Sequence, residues 1–168
     1  MQRSKVYLLG MVLVLLGHSA GVNAETANWR ALYDRDVLSQ QPACLLESAT
    51  RTVHDGQTTT PMRIVYNGEA FVVVTRSSID LSYPGVGLRV DHRPAHAIDN
   101  VHKDKSVVFR STAQTLRREF SQGRVAHVAL GFWPTWPKGE TIVTEFSLLG
   151  FHAAYREFLA CRKAHNKQ

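Results

Sequence analysis

Cysteine is scarce in this chain: Cys44 and Cys161 are the only two in 168 residues, too few for a disulfide-stapled miniature fold or a cysteine-rich zinc module. Long apolar runs are absent as well. The longest, over residues 7–16, is about ten residues, against the roughly 20 that cross a bilayer. There is no glycine-rich phosphate cradle, no internal repeat and no low-complexity linker, and no serine sits in a nucleophile elbow. Cations outnumber acids by 20 to 14, for a net charge of +6, yet only short neighbours such as Arg117-Arg118 and Arg162-Lys163 adjoin. No stripe follows a phosphate backbone, so nucleic acid is a poor partner.

What is present begins with a leader. Arg3 and Lys5 precede the apolar run, and the small-residue ending Val22-Asn23-Ala24 suits cleavage before Glu25, the three parts of a secretory signal peptide. The expected organisation is a signal peptide over residues 1–24 and a single β-rich domain over 25–168, long enough for a real core. The destination is the periplasm or the cell surface. Loss of Arg3 and Lys5 lowers the net charge to about +4, a mild basicity that suits a solvated surface or weak attraction to acidic envelope polymers. In an oxidising compartment two cysteines most simply form one disulfide, here between Cys44 and Cys161. Free thiols are the rival state, and metal binding by so distant a pair is the least favoured.

Strand signals follow one another along the chain. Residues 43–47, 62–66, 70–75, 79–83, 87–90 and 107–109 read as short strands, with Asn67-Gly68 marking a hairpin and Pro84-Gly85 a turn. Ser111 and Gln114 have the spacing of a capping box, Leu116 and Phe120 one apolar stripe, and Gly123 the place of a helix-ending glycine. Residues 124–130 and 140–146 form a second hairpin. After Ser147, a natural N-cap, Leu148, Phe151, Tyr155, Phe158 and Leu159 gather on one helical face. The expected fold is mainly β with two helices: an antiparallel β-sandwich or barrel-like domain of about seven or eight strands with a C-terminal helix packed on it.

The run Ile79-Asp80-Leu81-Ser82-Tyr83-Pro84-Gly85-Val86-Gly87-Leu88-Arg89-Val90-Asp91 and the run Phe146-Ser147-Leu148-Leu149-Gly150-Phe151-His152-Ala153-Ala154 resemble the two best-marked segments of the invasion-associated locus B family of exported bacterial proteins. The similarity also includes the early Cys44 and the helix ending Phe120-Ser121-Gln122-Gly123, and extends over residues 43–161. Many members carry a cysteine pair where this chain has none, across residues 101–111, so their disulfide pattern does not transfer. Phe151, Tyr155, Phe158 and Cys161 are also similar in spacing to a helix in the N-terminal domain of the flagellar motor ring protein MotY. Neither resemblance brings a catalytic residue set. Both imply a periplasmic or surface protein that binds a partner.

The residues themselves favour binding over catalysis. His92, His96 and His102 lie among Asp91, Asp99 and Asp104, but match no closed metal motif, and Pro94 opposes a helix that would align them. His127 and His152 read as surface, packing or capping residues. Asp34 with Asp36, and Asp91 with Asp99, are loop carboxylates. No catalytic residue, cofactor or metal ligand is assigned. The best candidate site is the connector over residues 131–139, GFWPTWPKG, with Phe132, Trp133, Trp136 and Lys138 as partner-binding residues. The prolines stiffen the connector, and Trp133 has two alternatives open to it: exposure, or folding back over the domain. The expected function is a non-enzymatic envelope protein that binds another envelope protein, accessory to a surface assembly or host-interaction system. The alternative is a glycan- or peptidoglycan-binding module using Trp133 and Trp136.

Overall fold

The computed structural model describes residues 28–133 and 139–165; the leader over 1–24, Trp136 and Lys138 lie outside the described residues. In chain order the elements are β1 (Trp29–Arg35), β2 (Pro42–Ser48), β3 (Arg51–His54), β4 (Thr59–Tyr66), β5 (Phe71–Val74), β6 (Ile79–Asp80), β7 (Gly87–Val90), β8 (Asn100–His102), β9 (Ser106–Phe109), α1 (Ala113–Gln122), β10 (Val125–Phe132), β11 (Ile142–Ser147) and α2 (Phe151–His165). They make two antiparallel sheets. The larger runs β1-β2-β4-β5-β9-β8, with β3 paired to the first half of β4; the smaller runs β11-β10-β6, with β7 also on β10. The sheets share one core and do not close into a barrel.

The run Phe71-Val72-Val73-Val74 lacks polar alternation because β5 is covered on both faces. Phe71 and Val73 enter the main core, and Val72 joins Ala70 and Val108 in a second cluster under Val37 and Leu38. Asn67 and Gly68 make the β4–β5 turn as their chemistry requires. Gly68 takes φ +98, and the Asn67 side-chain oxygen accepts the N–H groups of Glu69 and Ala70, each at 2.9 Å.

Helix α2 lies on β1 and β2 and turns Phe151, Ala154 and Phe158 inward onto an aromatic cluster of Trp29, Tyr66, Phe71 and Phe120. The expected stripe included Leu159, but that residue is 46% exposed: Phe158 occupies the inward position, and one further residue rotates about 100° away. Ser147 is not the N-cap. It ends β11, and the helix starts four residues beyond it, after Gly150 at φ +90. The capping box is also replaced. Thr112 precedes α1 without a side-chain cap, while Asp99 accepts the Ser111 hydroxyl and the N–H groups of Arg110 and Ser111. Gly123 does follow α1, but in extended geometry; a Cβ there would stand 2.2 Å from Val90 Cγ1.

The Cys44–Cys161 disulfide bonds β2 to α2 across a sequence separation of 117. A loop of that size corresponds to about 4–5 kcal/mol in the chain-entropy model. Replacing Phe151 by Ala should cost about 3–5 kcal/mol, whereas Leu159→Ala should stay within about 0.5 kcal/mol. Urea unfolding of both variants checks this; equal losses would show that the inward face has been misplaced.

Candidate functional site

Strand alternation separates the two aromatics at the end of β10. Phe132 pairs with Ile79 of β6 and is buried, whereas Trp133, one residue on, is 64% exposed. The Trp133 N–H donates to the Ser78 carbonyl at 2.9 Å, so the backbone beneath the indole is fixed. Tyr83 presses on Gly131, where a Cβ would lie 2.1 Å from its ring, and the Thr141 hydroxyl donates to the Pro84 carbonyl at 2.7 Å. The hairpin base is thereby held against the segment after β6. Phe132, expected at the partner-binding surface, instead anchors the strand from within, because β10 continues two residues past the predicted end and its parity points that ring into the core. Of the other assigned positions, Trp133 presents its ring to solvent, and Trp136 and Lys138 lie outside the described residues.

Beside this hairpin is a cleft of about 670 Å³, walled by β3 on one side and β11 on the other. Among the described residues β3 pairs only with β4, and β11 only with β10, so each has an edge with no strand partner. Arg51 and His54 stand on the β3 wall; Glu140 and Glu145 stand on the β11 side with Val143, which is 56% exposed. Glu145 Oε1 is 3.4 Å from Nδ1 of His127 in the neighbouring strand. The cleft is absent from the sequence reading because β3, with Val53 as its one buried residue, carries almost no apolar signal.

The other candidate groups are engaged in holding the backbone. His96 Nε2 is 2.9 Å from Glu119 Oε2 on α1, and the backbone of His96 bridges to Leu88. Asp91 accepts the N–H of Val125 at 3.0 Å and that of Arg124 at 3.1 Å, fastening the start of β10. His92, His96 and His102 belong to no three-donor cluster among the described residues. Ser147 Oγ accepts the Leu149 N–H at 3.3 Å, and its carbonyl accepts the Trp29 indole N–H at 2.8 Å. Asp36 is buried and accepts from Ser39, Leu38 and Asn67, while Asp34 takes the next backbone N–H. His152 is exposed on the first turn of α2.

The hydrogen bond from Val125 N–H, and then that from Arg124 N–H, hold the Asp91 carboxyl below its ordinary range despite the opposing effect of burial. The Ser111 hydroxyl, foremost, does the same for Asp99. A depressed folded value means that the stabilisation is complete above the unfolded value of about 3.9 and is lost as pH falls through the folded one. Asp91→Asn should therefore destabilise most near neutrality and converge with the parent in strong acid. Urea midpoints followed from about pH 7 to about pH 2 test this, and a constant difference would refute it.

Comparison with known proteins found no matching family model, no matching curated protein and no matching solved structure.

Proposed function

We propose that this chain is an exported, non-enzymatic protein of the bacterial envelope that recognises another envelope protein through the end of the β10–β11 hairpin. The observation that carries this reading is Trp133: the residue is 64% exposed, yet its backbone is bonded to Ser78 and its neighbour Phe132 is sunk in the core. A large aromatic on a fixed mount loses little conformational freedom on binding, and tryptophan is enriched among the few residues that dominate interface energy. The cleft between β3 and β11 lies on the same hairpin and offers concave surface to a partner's side chains. Export is supported by the leader signals and by the disulfide; no described helix is long and apolar enough to cross a membrane. The resemblance of residues 79–91 and 146–154 to the invasion-associated locus B family points to the same kind of role.

A glycan is the second reading, since an exposed indole face can also stack on a sugar ring and the chain is mildly basic. Crosslinking in envelope extracts should recover one defined protein with the parent chain, and Trp133→Ala should weaken that complex at least about tenfold while leaving circular dichroism unchanged. Equal capture by the variant would defeat the assignment of the hairpin end. Co-sedimentation with protein-free sacculi, lost in the same variant, would shift the assignment to peptidoglycan.

A further inference from the structure

The disulfide has a third heteroatom beside it. His165 follows Cys161 by four residues on α2, a spacing that puts two side chains on one helical face. Its Nδ1 lies 3.8 Å from Sγ of Cys161, 3.8 Å from Sγ of Cys44 and 3.0 Å from the Cys161 carbonyl oxygen. The imidazole is also held flat. It stacks on Tyr33 with ring centroids 4.0 Å apart and planes 14° from parallel, and Tyr33 is the cross-strand partner of Cys44 in the β1–β2 ladder. One strand pair and one helical turn thus keep two sulfurs and a nitrogen within 4.8 Å of one another, with Cys44 buried and His165 open to solvent.

We propose that the dithiol form of this chain binds a zinc-class divalent cation through Cys44, Cys161 and His165, so that the same two sulfurs serve as metal ligands when reduced and as a covalent tie when oxidised. Reduction transfers two electrons and two protons to the S–S bond from a dithiol, which itself becomes a disulfide. Metal binding then releases one proton from each thiol and uses the lone pair of neutral Nδ1, with the ring proton carried on Nε2. Bond lengths of about 2.3 Å to sulfur and about 2.0–2.1 Å to nitrogen, at tetrahedral angles, place sulfur about 3.6 Å from nitrogen and the sulfurs about 3.8 Å apart. The nitrogen already stands at nearly that distance from both sulfurs, so after cleavage the sulfurs need to separate and Nδ1 to exchange the Cys161 carbonyl for the cation as its proton moves to Nε2. Two thiolates and one imidazole select soft or borderline cations and leave a fourth position for water. A newly exported chain begins as the dithiol, so cation and oxidant compete for the same pair.

The full chain, reduced with a dithiol and freed of it without air, should bind one equivalent of Co²⁺ with thiolate-to-cobalt charge-transfer absorption, which Zn²⁺ then displaces. The oxidised chain should show no such absorption, and His165→Ala should weaken Zn²⁺ binding at least about tenfold. Absence of the absorption in the reduced parent, or equal affinity in His165→Ala, overturns the proposal. If reduction unfolds the chain, Zn²⁺ should restore the far-ultraviolet circular dichroism of the parent but not of His165→Ala; a reduced parent that stays unfolded in Zn²⁺ also overturns it.

Discussion

The indole of Trp29 ties β1 to the end of β11 and to both helices. Its N–H donates to the Ser147 carbonyl at the end of β11, while its ring meets Phe120 of α1 and Phe151 of α2 edge-on, with centroids 5.7 Å and 5.0 Å away. The first described strand, the last strand and both helices therefore converge on one buried ring. A tryptophan can do this because it combines a large apolar area with a single donor that must be satisfied, and an otherwise strand-ending carbonyl satisfies it. With Phe71 and Phe158 the cluster continues under α2, so the helix that closes the fold is seated on rings contributed by distant parts of the chain.

The parts legible in the sequence are those in which local pattern and tertiary demand agree. Residues 71–74 and 107–109 are apolar throughout, Asn67-Gly68 can form few other turns, and residues 125–130 are apolar but for His127. The less legible strands β1, β3 and β8 are edge or near-edge elements with one apolar face at most, in which charged and polar residues suit the exposed side. Cap assignments failed for a related reason. Ser111 and Ser147 have suitable chemistry, but at α1 the carboxylate of Asp99, remote in sequence, takes the backbone donors, and Gly150 delays α2 by a turn. Missing β3 also hid the cleft, and ending β10 too early hid the difference between Phe132 and Trp133. That difference is a matter of strand parity and became readable only once the strand length was known.

The polar residues that could suggest catalysis mostly serve the backbone. Asp36, Asp91 and Asp99 each accept several donors from turns and strand starts, and Asp55 does the same for Gln57, Thr58 and Ser77. Against the opposing effect of burial, donors fixed in place hold the carboxyls of Asp55, Asp91 and Asp99 below their ordinary range, which suits the anchoring of loops. Surface chemistry at the hairpin end has a different character: an aromatic ring on a fixed mount, and a cleft with cationic and anionic walls.

The covalent bond between β2 and α2 also determines how the molecule carries mechanical load. Tension applied from the chain before Cys44 to the chain after Cys161 would peel β1 and then pass through the two sulfurs, leaving the intervening residues 45–160 slack. The strands from β3 to β11 and the hairpin end would then experience almost none of the force, whereas the aromatic cluster would lose Trp29 as β1 peels away. A chain loaded in this way would keep the surface around Trp133 in shape while its two ends are strained.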